Sequence, residues 1–570
     1  MFSPSLQTLL LLSASQDRFA ADTARDNLFA SWVQLASWLQ TSPPSNRPRK
    51  WPVVGTSSAV TSPWFDQSYG LEFAPQLLGR GSSENNGFGI WGWIDAQSLT
   101  TMYANRAEYG ADLEYIDLGA PVSAFAPASA AAKASLRSLL NAAPVSAQAN
   151  SVVAIVDLGV RAAASNPDNF GGRIEHANTT SIDWSEHAVN VMQVLCEKLR
   201  LLHKLQDVRL ICSLVEEPPP QCVTLTALQQ TSNVADIEAA VDKLDQLLQQ
   251  PRYQHLRAFV NLSLGTHLGP HDGSSPFESK ITSLTRGAAS GSTRFVHVAA
   301  GNEGTDGMSQ EVTTRPNEPS VIRFRLSSDG ADEFLIELWW EDDGMAFDIS
   351  VEWKAGSLGA PIMLNLNRTT QGGVVQVRLS GDYVATWSTG PNNQIGLAVA
   401  GSCRGAAVDL AGLITEIQLT TITARRVFCW RVFPTTADSA FFEGLGDRGP
   451  TLAVPATADN LICVGGHMGT HLPWVKASSG PLANYGAPVH VPARDLRPQI
   501  SHDVTGPSGI DGTSFACPRT CAESVLRLPA TAAALSDLID ALRLAATAPA
   551  VSTVSGTAYP YHAQLGFGAL

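Results

Sequence analysis

Four side chains of the types that nucleophilic acyl transfer requires are spread along the chain: Asp157, His187, Asn302 and Ser514. Such chemistry needs a nucleophile, a base that removes its proton, a carboxylate that orients the base, and donors that hold the oxyanion. Each residue alone also has an ordinary explanation as a turn, surface or capping residue. Their joint placement therefore carries the prediction.

Ser514 lies where the sequence predicts the start of a helix. Residues 508–512 contain turn-forming Ser, Asp and Gly, Thr513 can cap a helix, and residues 516–528 have apolar side chains at helical spacing. Ser514 would then lie in the first turn, where unpaired backbone N–H groups and the helix dipole favour a developing oxyanion. Pro518 is predicted near the end of that turn, where its missing N–H disturbs little.

The other three residues belong to a region in which predicted strands and helices alternate. The predicted strands are 151–157, 208–215, 258–264 and 295–300, and the predicted helices are 186–205 and 234–249. This alternation indicates a mostly parallel sheet with helices on its faces, and ligands bind such sheets outside the carboxyl ends of the strands. Asp157, Gly265 and Asn302 fall at such ends, and the helix that begins near His187 would aim its ring at the same edge.

Changes in pattern divide the chain into an α/β fold with two additions. Residues 1–147 carry six of the 13 tryptophans and form an N-terminal accessory or propeptide-like domain, with helices predicted at 22–39 and 129–140. The α/β domain occupies 148–305 and 450–570. Between its two parts, residues 306–449 have short alternating strands separated by turn residues, typical of an antiparallel β-sandwich or jelly roll.

Composition limits the partners that we expect. The formal net charge of −14, with no basic stripe, argues against nucleic acid. No apolar run approaches a membrane span, and Leu9–Leu12 lacks the basic flank of a secretion signal, so export is the less expected fate.

The eight cysteines suggest reduced thiols of a cytoplasmic protein, although their even number leaves disulfides open. No metal is predicted, because Gly465-Gly466 interrupts the cysteine and histidine residues at 463, 467 and 471.

Six segments in one order resemble the subtilisin-like serine peptidases, the subtilases of peptidase family S8. They are residues 153–159, 183–187, 260–265, 299–304, 455–457 with 464–465, and 512–518. The resemblance implies a serine endopeptidase without a cofactor that cleaves protein or peptide substrates. In it, Ser514 is the nucleophile, His187 the general base and then acid, and Asp157 the residue that orients His187. The Asn302 side chain and the Ser514 N–H would hold the oxyanion.

The resemblance also implies where substrate binds. A substrate strand would lie against Ser263, Leu264 and Gly265, as in β-augmentation. The pocket for the residue before the cut would be lined by Ala299, Ala300 and Gly301. The inserted β domain is placed like the jelly-roll domain of the clostridial spore-germination subtilases. We expect a bacterial enzyme in which this insert and the N-terminal domain restrict access or dock a regulatory protein partner.

Several alternatives stay open at this stage. Ala188-Val189 follows His187 where the family usually has Gly-Thr, so a second hypothesis is a weak or inactive subtilase-fold scaffold or sensor. The sedolisins, whose base is a carboxylate, fit less well because His187 is present. His176 competes with His187 as base. The N-terminal domain is either a propeptide that is cut off or a permanent domain.

Three acidic sites receive structural interpretations from the sequence. Asp183 precedes the helix that begins near His187 and is expected to be structural. Glu303 is interpreted as a loop residue and not as a specificity determinant. The carboxylates at 341–343 are interpreted as a solvated turn, with calcium binding as the lesser alternative.

Overall fold

The structure is a computed structural model of the 570-residue chain. It describes residues 2–8, 50–57, 88–95, 113–118, 127–146, 149–161, 168–177, 182–215, 234–286, 293–304, 309–326, 333–354, 361–377, 381–402, 413–433, 440–441, 451–469, 472–474, 476–478, 499–528, 534–546, 552–554, 557–559 and 569–570. The predicted helix at 22–39 lies outside these residues. No helix among them is both long and apolar enough to cross a membrane.

The longer helices include those predicted to begin at 129, 186 and 234, whereas the helix at 276–286 was not predicted. They are α1 (Ala130–Asn141), α2 (Glu186–Leu201), α3 (Val234–Leu248), α4 (Pro276–Arg286), α5 (Thr513–Arg527) and α6 (Leu535–Ala545). Ser129 caps α1 by accepting the Ala132 N–H at 3.1 Å, and Ser185 caps α2 by accepting the Ala188 N–H at 3.1 Å. Short polar side chains at these positions satisfy backbone donors that the helix leaves free.

Near the N-terminus, three strands form a small antiparallel sheet in the order β2-β1-β3. They are β1 (Lys50–Ser57), β2 (Phe88–Asp95) and β3 (Leu113–Leu118). Strand β1 packs against α3 and α4. A short helix at residues 4–8 precedes this sheet, and its Leu6 is fully buried in the same hydrophobic cluster as Val53 of β1. The first residues are therefore part of the folded core.

The central sheet is mostly parallel, as the alternating pattern predicted. Its earlier strands are β4 (Ser151–Arg161), β5 (Ile174–His176), β6 (Ile182–Trp184), β7 (Val208–Val215), β8 (Arg257–Leu262) and β9 (Arg294–Ala299). Strand β4 lies between β7 and β8, and its apolar run is buried on both faces. Val152 and Val156 pack in one hydrophobic cluster, whereas Val153 and Ile155 pack in the other.

In the described residues between 309 and 441, eleven strands form two antiparallel sheets. They are β10 (Ser309–Thr313), β11 (Ser320–Arg325), β12 (Glu333–Glu341), β13 (Phe347–Lys354), β14 (Ile362–Asn367), β15 (Gly372–Val377), β16 (Gly381–Gly390), β17 (Gln394–Ser402), β18 (Ile414–Thr421), β19 (Arg426–Phe433) and β20 (Ala440–Phe441). One sheet has the order β10-β19-β12-β17-β16-β15 and the other β14-β13-β18-β11-β20. Buried side chains of both sheets share one hydrophobic cluster, so the insert is a two-sheet β domain.

The chain then returns to the central sheet. Strands β21 (Ile462–Met468), β22 (Leu472–Pro473) and β23 (Gln499–Asp503) complete it, giving the order β22-β21-β9-β8-β4-β7-β5, with β23 paired to β21 and β6 to β4. A small hairpin of β24 (Ser552–Val554) and β25 (Thr557–Tyr559) follows α6. Leu570 donates its N–H to the Ser501 carbonyl at 2.9 Å, so the last described residues lie beside β23.

The cysteines in the described part of the chain are consistent with reduced thiols. Cys196, Cys212, Cys429, Cys517 and Cys521 are free and buried. Cys222 and Cys403 lie outside the described residues. Burial raises the pKa of Cys196 to about 12, so this thiol stays protonated at neutral pH.

Candidate active site

The strand register brings three predicted site segments to one edge of the central sheet. Val156 pairs with Leu262 of β8, and Leu262 pairs with Val298 of β9. The next residue of each strand is therefore at a similar level: Asp157 after Val156, Ser263 after Leu262, and Ala299 after Val298. Since these strands are parallel, their carboxyl ends face one side, where ligands bind in sheets of this kind.

Asp157 and His187 form a hydrogen-bonded pair, of which Asp157 is fully buried and His187 partly buried. The distance between His187 Nδ1 and Asp157 Oδ1 is 2.8 Å, and the Asp157 side chain is fully buried. The Leu158 N–H also donates to this Oδ1 at 2.7 Å. Because Oδ1 is an acceptor, Nδ1 of His187 carries the proton in this bond, which leaves the Nε2 lone pair to act as a base.

The second oxygen of Asp157 is also buried. Within the part of the chain that the structure describes, Oδ2 has no hydrogen-bond partner. A buried carboxylate oxygen that lacks donors is costly, and positive charge on a neighbouring group offsets the cost.

Ala188 and Val189, which differ from the pattern of the resembling family, are both fully buried. They pack in the hydrophobic cluster that contains Trp184 and Phe515. The hydrogen bond between His187 and Asp157 forms beside them, so their larger side chains are accommodated by the core.

Helix α5 places Ser514 in its first turn, but Thr513 does not cap the helix. The N-cap residue is Gly512, and Thr513 is the first residue of α5. Its hydroxyl instead donates toward the side-chain Oδ1 of Asn302, at 3.0 Å, and lies 3.1 Å from the Gly301 carbonyl. The prediction that Thr513 caps the helix is therefore wrong, because its hydroxyl bonds to Asn302, which is distant in sequence.

Pro518 lies one residue further into α5 than expected, because Gly512 and not Thr513 is the N-cap. In an α-helix, the N–H at this position would donate to the carbonyl of Ser514, four residues earlier, and proline has no N–H. The Ser263 hydroxyl donates to that carbonyl at 3.0 Å, while the Ser514 hydroxyl donates to the Ser263 carbonyl at 3.4 Å. The end of β8 and the start of α5 are thus joined in both directions.

Asn302 and Ser514 each present a donor at the same place. The Thr513 N–H donates to Asn302 Oδ1 at 2.9 Å, which directs the Nδ2 group of that amide away from Thr513. Neither Asn302 Nδ2 nor the Ser514 N–H donates to any residue in the described ranges. A Cβ built on Gly512 would lie 3.7 Å from Asn302 Nδ2 and 3.8 Å from the Ser514 nitrogen. The Asn302 amide, whose Oδ1 is also 3.7 Å from this Cβ position, and the Ser514 nitrogen therefore border one small space that glycine keeps open.

The predicted substrate-binding segments flank this space. The backbones of Leu264 and Gly265 make no hydrogen bond to another described residue, whereas Thr266 pairs with Val454 in both directions at 2.8 Å. Ser263, Leu264, Ala299 and Ala300 are buried, and Gly301 has a φ of 108°. Backbone groups without partners at the end of a strand can pair with an added strand.

The competing and structural residues are placed apart from this cluster. His176 Nε2 contacts the Asp168 carbonyl at 3.1 Å, and burial lowers its pKa. Asp183 pairs with Lys133 at 2.5 Å and accepts the Trp184 N–H at 2.8 Å. Neither residue is bonded to the Asp157 and His187 pair.

The acidic run at 341–343 is held by arginines. Asp342 pairs with Arg368, and Asp343 pairs with Arg425. Burial alone would raise the pKa of Asp343, but its hydrogen bonds and Arg425 lower it to about 2. No group of three or more His, Cys, Asp or Glu side chains in the described residues could hold a metal ion.

Local sequence patterns did not reveal that Thr513 and Glu303 both hold Asn302. Glu303 Oε2 accepts the Asn302 N–H at 2.6 Å and lies 3.3 Å from His267 Nε2. The only sequence signal for this contact is that a carboxylate directly follows Asn302 and precedes a glycine. His267 lies 36 positions earlier in the numbering, and no local pattern links the two.

No protein-family model and no curated protein sequence matches the chain. The chain is similar to the structure of the Clostridium Perfringens CspB protease, with a TM-score of 0.52 and 16% identity, covering 74% of this chain and 91% of that chain. The self-cleaved protease domain of PatA also matches, with a TM-score of 0.31 and 11% identity, covering 74% of this chain and 94% of that domain.

Together, the sheet order and the similarity to the CspB protease show the class of fold. The chain has a subtilisin-like α/β fold with an inserted β domain. This confirms the fold predicted from the sequence. At such low identity, the similarity applies to the fold alone.

Proposed function

We propose that the chain is a serine endopeptidase that hydrolyses peptide bonds in protein or peptide substrates. The observation that carries this proposal is the 2.8 Å hydrogen bond between buried Asp157 and His187, at the edge of the sheet where the Ser514 hydroxyl contacts the Ser263 carbonyl after β8.

Acylation uses three groups. His187 Nε2 removes the proton from Ser514 Oγ as this oxygen attacks the carbonyl carbon of the peptide bond. Asp157 keeps the proton on Nδ1 and stabilises the imidazolium that forms. The imidazolium then gives its proton to the leaving amine, the C–N bond breaks, and an acyl ester on Ser514 remains.

The developing oxyanion is held by two donors. Asn302 Nδ2 and the Ser514 N–H are without acceptors among the described residues, and Thr513 fixes the amide by holding its oxygen. Because these donors are in place before the reaction, they stabilise the tetrahedral intermediate without reorganisation. A water molecule, activated by His187 in the same way, then hydrolyses the ester.

Substrate binding follows from the backbone at the end of β8. Leu264 and Gly265 offer N–H and carbonyl groups to an extended peptide, which would add as a strand. Recognition through backbone groups suits cleavage within a chain, because a peptide bond on either side of the cut can be bound. We propose that Ala299, Ala300 and Gly301 line the pocket for the residue before the cut.

The test is hydrolysis of an unfolded protein, with products identified by mass spectrometry. The wild-type protein should produce internal cleavages, Ser514→Ala should produce none, and Asn302→Ala should reduce kcat about 10²- to 10³-fold. A folded wild-type protein that leaves the substrate intact would favour the second hypothesis, a scaffold or sensor with a subtilisin-like fold. Cleavage that persists in Ser514→Ala would also contradict the proposal.

A further inference from the structure

Glu303 holds the backbone of the oxyanion residue. Its Oε2 accepts the Asn302 N–H at 2.6 Å and the Ser478 hydroxyl at 3.3 Å, and Ser478 donates its N–H to the Gly301 carbonyl at 3.0 Å. Gly301 has a φ of 108°, and a Cβ there would come within 2.7 Å of both Glu303 Oε2 and Ser478 Oγ. Glycine therefore lets the carboxylate fold back onto the loop.

His267 pairs with the same carboxylate oxygen. The distance from His267 Nε2 to Glu303 Oε2 is 3.3 Å. Burial alone would raise the pKa of Glu303, but His267, the Asn302 N–H and Ser478 outweigh it, and the pKa is lowered. The carboxylate is thus ionised and surrounded by donors at neutral pH.

The His267 ring is braced from the inserted β domain. It stacks on His271 with ring centroids 5.7 Å apart, and His271 stacks on Trp430 of β19 at 3.5 Å with an interplanar angle of 4°. His271 Nδ1 contacts the Leu452 carbonyl at 2.8 Å, which fixes the middle ring. Burial, with a smaller effect of His267, lowers the pKa of His271 to about 3, so this ring stays neutral.

We propose that Glu303 is a positioning residue of the oxyanion site, held in place by His267 and, through His271 and Trp430, by the inserted β domain. This inference rests on the proposed peptidase function. Asn302 is restrained at two points: Thr513 holds its side-chain oxygen and Glu303 holds its backbone N–H. Both hydrogen bonds set the direction of Nδ2. Losing one of them should therefore weaken stabilisation of the transition state more than it weakens substrate binding.

The positioning role differs from recognition of a basic substrate residue. Glu303 Oε2 already accepts from Asn302 and lies within 3.3 Å of His267 and Ser478. A substrate cation would have to displace these partners. Replacing the carboxylate should therefore change kcat alike for substrates with different residues before the cut.

The experiment measures kcat and KM of full-length wild type, Glu303→Gln and Glu303→Ala on two peptides that differ only in lysine or leucine before the cut. Glu303→Gln keeps an acceptor for the Asn302 N–H but loses the charge opposite His267, so kcat should fall about tenfold. In Glu303→Ala, kcat should fall about 100-fold, which is close to the effect of removing an oxyanion donor. KM should stay within about twofold, and both peptides should respond equally.

The contribution of the insert is tested with two matched tryptophans. Trp430→Leu removes the outer ring of the stack, whereas Trp340→Leu removes another buried tryptophan of the same sheet that packs on Phe347. Both variants lose core packing. Only Trp430→Leu should also lower the kcat of the protein that remains folded. Thermal unfolding of each variant reports the packing loss separately.

Three results would overturn the inference. Unchanged kcat in Glu303→Gln and Glu303→Ala, with active wild type, would contradict it while leaving the peptidase proposal intact. A loss confined to the lysine peptide would assign Glu303 to specificity instead. A folded wild type without hydrolysis would remove both the proposed function and this inference. If Trp430→Leu does not fold, the two Glu303 variants still test whether Glu303 positions Asn302.

Discussion

The side-chain oxygen of Asn302 accepts two hydrogen bonds from Thr513, one from its backbone N–H at 2.9 Å and one from its hydroxyl at 3.0 Å. Thr513 directly precedes Ser514, so the amide of Asn302 is tied to the start of the helix that carries the proposed nucleophile. The Asn302 amide and the Ser514 nitrogen consequently border the same space beside Gly512.

Gly512→Ala should fill this space without unfolding the protein. The φ of Gly512 is 177°, which any residue adopts, and the new methyl group would be at ordinary contact distances of 3.7 and 3.8 Å from the two donors. We expect kcat to fall about 100-fold, because the oxyanion can no longer reach both donors. Peptide hydrolysis and thermal unfolding measure the two effects.

Gly509→Ala is the matched control for this substitution. Gly509 has a φ of 75° and no neighbour that a Cβ would meet within 4 Å. Alanine there should cost about 1 kcal/mol of stability through backbone strain and leave kcat unchanged. Full activity in Gly512→Ala would show that the space beside Gly512 is not where the oxyanion binds.

Asp157→Asn should remove most of the activity while preserving the fold. An amide can present its N–H₂ group to His187 and favour the wrong tautomer of the ring, which leaves no base for Ser514. We expect kcat to fall about 10⁴-fold. Asp207→Asn, which alters a surface aspartate paired with Lys204, should leave kcat unchanged. Equal kcat values for the two variants would refute the assigned role of Asp157.

Leu6→Ala should destabilise the protein although it lies near the start of the chain. Leu6 is fully buried, and nearby Thr8 lies 2.5 Å from Thr386 of the inserted β domain through their hydroxyl oxygens. Truncating such a core leucine should cost about 2–5 kcal/mol in the free energy of unfolding. Leu201→Ala, at a position that is 71% exposed, should change it by less than about 0.5 kcal/mol. Denaturant unfolding of both variants checks the prediction, which fails if their stabilities match.

Glu238 on α3 should make stability fall as the pH rises. Burial raises its pKa from 4.5 to about 8, and the charge of Lys280 only partly opposes this effect. The folded state thus holds a proton that the unfolded state releases. Its contribution to stability is fully present below pH 4.5 and is lost as the pH rises through 8.

Glu238→Leu should remove this pH dependence. The free energy of unfolding of the variant, minus that of wild type, should increase between pH 5 and pH 8 by at most about 1.4 kcal/mol per pH unit. Glu318→Leu is the control, because that side chain is 63% exposed and should add no comparable slope. A constant difference between Glu238→Leu and wild type across this range would contradict the assigned burial effect.

The parts of the site that belong to regular elements could be predicted from the sequence. Ser185 marks the start of the helix that bears His187, as the local pattern predicted. Asp157 was predicted to end a strand, whereas β4 continues to Arg161; Asp157 instead follows Val156, where the pairing of β4 with β8 stops. Strands β16 and β17 were not predicted. Glycine and alanine interrupt their alternation, and the cross-strand pairing that makes them strands is invisible locally.

The remaining features depend on contacts between distant residues. A threonine before Ser514 suggests a helix cap, but only the fold brings Asn302 close enough to take its hydroxyl. Likewise, Trp430 is a core residue by composition, and its stacking on His271 follows from how the insert packs against the loop after β8. Such side-chain contacts have no period in the sequence, so local patterns do not reveal them.

The most direct measurement is mapping of the adduct formed with a fluorophosphonate probe by the full-length protein. Such probes react with serines that are activated by a neighbouring base. Mass spectrometry should find one stoichiometric adduct on Ser514, none in Ser514→Ala, and a greatly slowed reaction in Asp157→Asn. A folded wild-type protein with no adduct, or with its adduct on another serine, would contradict the proposal that Asp157, His187 and Ser514 form a peptidase site.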